Sequence, residues 1–278
     1  DYMDGILLKN KETGMTSHDV VNKLRKILHI KRIGHSGTLD PQASGVLLVM
    51  VGKACKVLPF LEDTDKEYIA KMVLGKKTIS DDIWEEVLEE KAITPISDFQ
   101  SVLDTFKGEI KQLPPMISSI KVNGKKLYEY ARANQEVERP VRTITIYDIE
   151  ALDEKELCFR VSCSSGTYVR SLCHDIAEKT NNFGCMSSLI RTKVGRFTLE
   201  DCVTIKDVEE GNYILHPVKE VLSHYKEIKI SDTKDVVNGR KVHLNCEADE
   251  VLLTHQEEAL AIYRREHGDV FGCVRGLW

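Results

Sequence analysis

The stretch Gly34-His35-Ser36-Gly37-Thr38-Leu39-Asp40-Pro41-Gln42-Ala43-Ser44-Gly45 decides how the rest of the chain is read. Gly34 and Gly37 bracket His35 and Ser36, Pro41 fixes the backbone just after Asp40, and Gly45 opens an apolar run to Val51. That pattern describes a tightly turned loop presenting one carboxylate. A bare Asp-Pro pair usually does no more than end a loop. This one joins two elements that read as buried, which is where chemistry usually sits.

Working outward, Ile6–Leu8 reads as a strand and Thr13-Gly14 as a turn. Thr16 or Ser17 then caps a helix that carries Val20, Val21, Leu24, Ile27 and Leu28 at helical spacing and ends near His29. On the other side, Gly45–Val51 is the continuous apolar run of a strand buried on both faces. Tyr68–Leu74, Thr143–Leu152 and Phe159–Ser164 read as further strands, and Tyr168–Lys179 as a helix with Val169, Leu172, Cys173 and Ile176 inward. The regular βαβ rhythm of a doubly wound sheet is missing, so the expected class is α+β with a mixed, mostly antiparallel sheet. From about Glu227 the texture changes to short strands at Ile228–Ile230, Val251–Leu253 and Ala259–Tyr263, with turns at Asn238-Gly239 and His267-Gly268. The expected organisation is a core over residues 3–226 and a small β module over 227–278.

Composition narrows the class. A hydrophobic fraction of 42% and a charged fraction of 30% belong to a chain that buries a core, not to a disordered one. No apolar run nears the roughly 18 residues of a membrane span. No basic-then-apolar leader is visible either, so the expected setting is cytoplasmic and away from membranes. Asp1 and Tyr2, ahead of Met3, are given no role. The eight cysteines include no C-x-x-C pair, which removes the zinc-ribbon and thioredoxin-like readings. They read as reduced thiols, and a metal gathered by Cys163, Cys173, His174 and Cys185 is not expected.

A net charge of -5 argues mildly against a nucleic-acid binder, but the charges are segregated. Lys23, Arg25, Lys26, Lys31 and Arg32 form one basic run, Lys121, Lys125, Lys126 and Arg132 a second, and Arg191, Lys193 and Arg196 a third. Acidic residues crowd into Asp81–Glu90 and Asp148–Glu156. Each run by itself is most simply a solvated face; together they allow a basic groove on an acidic body.

The loop around Asp40 closely resembles the catalytic motif of the pseudouridine synthases that act on tRNA position 55, the TruB family. Five more segments resemble that family in order. Lys11, Gly14, Met15, Thr16 and Ser17 match its K-P-x-G-M-T-S motif, and Lys66 with Tyr68 its K-x-Y segment. Pro114, Pro115, Met116, Ser118, Lys121, Gly124, Leu127, Tyr128, Ala131 and Arg132 match its proline-proline-methionine motif. Ser165-Gly166-Thr167-Tyr168-Val169-Arg170 matches G-T-Y-[IV]-R, and Leu189, Arg191, Thr192, Gly195 and Phe197 match L-x-R-T-x-x-G-x-F.

What the resemblance implies is an isomerase that turns uridine into pseudouridine in the T loop of tRNA, without metal or organic cofactor. Asp40 is then the nucleophile, held ionised in a dry pocket, and Arg170 its charge partner. Tyr68 stacks on the target base and helps remove the C5 proton, and His35 fills the space the base leaves. Leu189 packs on the extruded uracil, while Lys11, Lys121 and Arg132 make phosphate or structural contacts. Gly37 and Thr38, within the catalytic loop, complete the implied substrate-binding set. Read without the resemblance, Tyr68 is a buried strand tyrosine, Arg170 a surface arginine, His35 a turn histidine and Leu189 core. The C-terminal module resembles a PUA domain, a small RNA-binding β barrel. Departures are Glu12 in place of the family's proline, expected to loosen the turn before Gly14, Ser36 in place of the threonine common in bacterial members, a wording also familiar from guide-RNA-dependent relatives, and Thr78-Ile79-Ser80-Asp81-Asp82 where the family has T-D-T-x-D. The implied partner is the T-arm stem-loop, with a monomer needing no obligate protein partner. Two other readings stay open: a synthase dependent on a guide RNA, and a tRNA-folding helper whose role does not need catalysis.

Overall fold

The computed structural model describes residues 3–278; Asp1 and Tyr2 lie outside the described residues. The chain divides into two compact units. One holds the chain up to Pro41, Val46–Asp63 and Glu200–Trp278; the other holds Gln42–Gly45 and Thr64–Leu199.

In the first unit, β1 (Gly5–Lys11) leads to α1 (Ser17–Leu28), then β2 (Ile33–Ser36) and β3 (Ser44–Val51). Thr16 is the residue that caps α1: its hydroxyl accepts from the Asp19 amide while the Asp19 carboxylate accepts from the Thr16 amide. The helix stops at His29, which takes the left-handed conformation common at helix ends. Val20, Val21 and Leu24 are buried against Leu7, Leu47, Val49 and Val51 of β1 and β3. Each such side chain contributes about 1.5–3 kcal/mol. β3 is buried from Gly45 to Val51, as its unbroken apolar run requires, and β2 returns antiparallel along it with His35 opposite Val49.

The second unit is built on five long strands. They are β4 (Lys66–Leu74), β7 (Gly108–Gln112), β10 (Arg142–Asp153), β11 (Cys158–Cys163) and β12 (Gly184–Val194), hydrogen-bonded antiparallel in the order β12-β4-β11-β10-β7. A short β13 (Phe197–Thr198) folds back on β12. Between these strands lie the hairpin β5 (Lys76–Thr78) and β6 (Val87–Glu90), α2 (Phe99–Asp104), the hairpin β8 (Lys121–Val122) and β9 (Lys125–Lys126), and α3 (Leu127–Arg132). α4 (Val169–Lys179) and α2 share one core with Ala70, Ile149, Phe159 and Val161. Residues of the opposite register carry polar groups: Arg160 binds Asp148, Glu150 and Glu67 across three strands. The sheet is therefore apolar on the helix side and stitched by charge on the other. One parallel pairing makes it mixed: Ser44 and Gly45, the first two residues of β3, pair with Ile190 and Arg191 of β12. The expected α+β class with a mixed, mostly antiparallel sheet is what the chain adopts.

After α5 (Ile205–Glu209), the C-terminal segment forms a five-stranded sheet, with a short α6 (Lys234–Val237) within it. Its strands are β14 (Lys226–Lys229), β15 (Val242–His243), β16 (Glu250–His255), β17 (Glu258–His267) and β18 (Val270–Gly276), in the order β14-β16-β17-β18-β15. Val251, Leu253, Ala261, Tyr263 and Phe271 form its core. No helix among the described residues is long and apolar enough to cross a membrane.

Candidate active site

The Asp40 loop is held from both sides. Ser17 Oγ accepts from the Leu39 amide at 3.0 Å and donates to the Leu39 carbonyl at 3.2 Å, with both residues buried. On the other side of Asp40, the Pro41 carbonyl accepts from the Gly14 amide at 2.8 Å and from Lys11 Nζ at 3.3 Å. Lys11 Nζ also donates to the carbonyls of Met15, 2.6 Å, and Glu12, 2.8 Å, and the residue is fully buried. Of the two readings offered for Lys11, the structure gives it the structural one. Its ammonium is taken up by loop carbonyls and is not presented to a phosphate.

Asp40 itself is exposed, as are Gly37 and Thr38. Its neighbours Leu39 and Pro41 are fixed through their backbones. Glu12 is tied into the turn before Gly14. Its carboxylate receives Lys9 Nζ at 2.8 Å, its carbonyl receives Lys11, and the buried Lys9 anchors the segment from below. His35 is half-buried, with Nδ1 enclosed and unpartnered. Burial first, then the nearby His18, lowers its pKa, so at neutral pH it is an uncharged ring.

Ser17→Ala removes both bonds to Leu39 while leaving the Thr16 cap in place. It is expected to cost about 1–3 kcal/mol, since two backbone groups of a buried residue lose their partner. Thermal unfolding checks this. A midpoint equal to that of the wild type would mean the loop does not lean on Ser17.

In the second unit the strand register brings Tyr68 and Leu189 together. Leu189 pairs with Ala70 and Arg191 with Tyr68, so the two side chains are diagonal neighbours on one face, each partly buried against the helix-side core. Arg170 lies in the first turn of α4, and its Nη1 donates to the carbonyls of Ser80 at 3.1 Å and Ile117 at 3.0 Å. Asp82 stands 3.9 Å from the same nitrogen. The segment ahead of α4 is clamped by a residue the sequence did not single out. Gln112 accepts from the Tyr168 amide at 2.8 Å and donates to the Tyr168 carbonyl at 3.0 Å. Ser171 Oγ adds a bond to the Leu113 carbonyl at 2.6 Å. Gln112 left no signal, since one polar residue at a strand end fits any solvated edge.

Lys121 and Arg132 are exposed on the β8–β9 hairpin and α3. The Arg132 guanidinium lies 5.1 Å from the Tyr128 ring and Lys126 Nζ 5.5 Å from it, while Lys125 Nζ is 4.9 Å from the Tyr130 ring. Cations supported on aromatic faces make a surface suited to a nucleic-acid backbone.

All eight cysteines are free thiols, and burial pushes Cys163 and Cys185 up to about 11. Among the described residues the grouping with ligand atoms within 4.8 Å of one another is His174, Asp175 and Glu178. Both ring nitrogens of His174 already face carboxylates, Asp81 at 3.3 Å and Glu178 at 3.2 Å. Asp175 is raised from 3.8 to about 6, first by burial and then by the charges of Glu178 and Asp81, against the pull of His174. Its folded-state pKa lies above the unfolded value, so the folded state favours the protonated form. The ionised carboxylate is a penalty that is complete above about pH 6 and gone below about pH 4. Asp175→Asn is therefore expected to raise the unfolding midpoint by about 2–4 °C at pH 7.5 and to leave it unchanged at pH 4. An equal shift at both pH values would show that ionisation is not the cause.

Known proteins are similar to this chain in sequence and fold. Residues 25–169 match the TruB family pseudouridylate synthase N-terminal domain, and residues 170–225 match the tRNA pseudouridylate synthase B C-terminal domain. The tRNA pseudouridine synthase B of Geobacillus kaustophilus (strain HTA426) is 46% identical over 261 residues, 87% of this chain and 92% of that one. The enzyme of the same name from Bacillus cereus (strain ATCC 10987 / NRS 248) is 43% identical over 283 residues, 94% and 92%. Among solved structures, a Cbf5-Nop10-Gar1 complex and an H/ACA RNP bound to a substrate RNA containing 2'-deoxyuridine each contain a chain that superposes with a TM-score of 0.71 and 25% identity. Each superposition covers 99% of this chain and 85% of the other.

Sheet, loops and relatives together define a pseudouridine synthase, an isomerase that acts on uridine in RNA. Within that class, the chain belongs to the TruB family.

Proposed function

We propose that the protein isomerises uridine in the T loop of tRNA, the position-55 reaction, with Asp40 as nucleophile. The observation that carries this reading is the support of one exposed carboxylate by fixed bonds to the residue before it and the residue after it. The reaction breaks the bond from C1′ to N1, turns the base and forms the bond from C1′ to C5. C5 loses its proton and N1 gains one. A carboxylate attacks or stabilises the cationic sugar while the base is free. Asp40 is exposed in the free chain, so the extruded nucleotide itself supplies the cover that excludes water.

The other assignments belong to the same reading. Tyr68 stacks on the target base beside Leu189, a pairing the register supports. Arg170 is the charge partner that the resemblance assigns to the nucleophile. The neutral His35 ring takes the space of the everted base, a role that a charged ring would fill at a desolvation cost. Lys121 and Arg132 meet phosphates, and Gly37 and Thr38 lie against the substrate. We place the protein in the cytoplasm as a monomer with tRNA as its partner. We also place the domain boundary at 226/227, supported by the separate core of the C-terminal sheet and by the family match ending at residue 225.

The test uses a T-arm stem-loop carrying tritium at C5 of the candidate uridine. Release by the purified protein alone, without metal, nucleotide or guide RNA, is the expected result. Binding of the stem-loop without release would favour the guide-dependent reading, whose solved relatives work within an RNP.

A further inference from the structure

We propose that His174 is a positioning residue for Arg170, acting through Asp81. This rests on the reading that Arg170 serves the active site. Arg170 and His174 are four residues apart on α4 and so project from one face of it. Both grip the same short segment. Arg170 Nη1 donates to the Ser80 carbonyl at 3.1 Å and stands 3.9 Å from Asp82 Oδ2, and His174 Nδ1 lies 3.3 Å from Asp81 Oδ1.

The segment does not hold this shape by local preference. Asp81 has φ +63, a left-handed conformation that an L-residue adopts when its surroundings impose it. Its carbonyl is taken by the Met186 amide of β12 at 2.9 Å, and its carboxylate is turned to His174 and largely buried. On either side, the Asp82 carboxylate is aimed by Ser80 Oγ at 2.7 Å and the Trp84 amide at 3.1 Å, with its other oxygen toward Arg170. The residue between Ser80 and Asp82, two of Arg170's partners, is thus the one His174 fastens. Without that fastening, Asp81 keeps its left-handed turn only through its neighbours and the Met186 amide, and the guanidinium loses part of the frame that sets its direction, the Ile117 carbonyl remaining.

His174 is built to be charged. The groups around it are Asp81 from the β5–β6 connection and Asp175 and Glu178 from its own helix, with Arg139 acting on Asp175. The hydrogen bond to Asp81 is the main influence raising the ring's pKa, against burial. The imidazolium carries an N–H both on the nitrogen 3.3 Å from Asp81 Oδ1 and on the nitrogen 3.2 Å from Glu178 Oε2; the neutral ring has one donor and must turn a lone pair on the other carboxylate. The latch is therefore complete below the ring's raised pKa and weakens as pH rises through it.

The experiment measures kcat and KM for T-arm isomerisation in wild type, His174→Ala, His174→Gln, Arg170→Ala and the double variant His174→Ala/Arg170→Ala. His174→Ala is expected to lower kcat about tenfold with KM changed less than twofold, as for a misplaced group far from the chemistry. His174→Gln, which keeps one N–H for Asp81, is expected to recover most of that loss. In the Arg170→Ala background the second change should cost nothing further. The ratio of wild-type kcat to His174→Gln kcat should be largest in acid and approach one as the ring deprotonates. An unchanged kcat in His174→Ala, or a full tenfold loss added to that of Arg170→Ala, overturns the proposal while leaving Arg170 in the site. An Arg170→Ala enzyme with wild-type kcat would overturn the reading of Arg170 itself.

Discussion

Asp40→Asn is expected to lower turnover of the T-arm uridine by on the order of 10⁴-fold or more, a loss of about 5.5 kcal/mol of transition-state stabilisation. The change swaps a carboxylate oxygen for an amide nitrogen of equal size, so in the proposed role it removes the nucleophilic charge while keeping the side chain's shape. The side chain is exposed, and the bonds that hold its loop come from Leu39 and Pro41 backbone groups, which the substitution does not touch. The unfolding midpoint should stay within about 1–2 °C of the wild type. Affinity for the stem-loop should hold or rise, because a negative charge facing a polyanion is gone. Tritium release and RNA binding measured on one preparation check both halves. Release at a tenth of the wild-type rate or better would remove Asp40 from the role of nucleophile. Retained tRNA refolding beside lost release would show that a folding role is separable from the chemistry.

The contrast between chemistry and support also explains what the sequence disclosed. α1, β3 and α4 were legible within a residue or two, because each carries an unambiguous periodicity and sits in one environment along its length. β12 was not. It is the strand that pairs with β4 along its whole length, yet Ser187, Ser188, Arg191 and Thr192 interrupt its apolar pattern. Thr192 turns to Glu67 on the charged side of the sheet, an interaction no local pattern announces. The hairpins β5–β6 and β8–β9 were missed for another reason: their two- to four-residue strands leave too short a pattern.

The candidate site divides in the same way. Asp40, Tyr68 and Leu189 were visible because ordered motifs surround them, but the work of those motifs became clear only in three dimensions. Lys11, Gly14 and Ser17 were read together as one N-terminal motif, and they turn out to be the three residues that fix Leu39 and Pro41. Gln112 and the pair His174–Asp81 belong to contacts between segments 56 and 93 residues apart, beyond the reach of spacing arguments.

Gly45→Ala is expected to be the most destabilising single-methyl change in the catalytic loop, and its effect separates support from chemistry in the opposite sense to Asp40→Asn. Gly45 is where the loop joins β3, paired with Arg191 at φ +114. A Cβ there would stand 2.7 Å from the Arg191 amide nitrogen and closer still to its carbonyl oxygen. Both obstacles are backbone atoms of a buried strand residue and cannot swing away. The backbone conformation alone costs about 1–3 kcal/mol. Displacing the neighbouring strand adds about 1–3 kcal/mol more. For a chain of this size that corresponds to a midpoint lowered by roughly 5–20 °C. Turnover should fall with it even where the protein stays folded, because the loop is re-aimed from its C-terminal end. Gly14→Ala is the matching control: φ is +86, but no atom lies within 4 Å of the added Cβ, so it bears the conformational cost alone. Equal losses from the two substitutions would show that close approach to Arg191 contributes nothing. A Gly45→Ala protein with wild-type stability would mean that β3 and β12 are not joined in the register described.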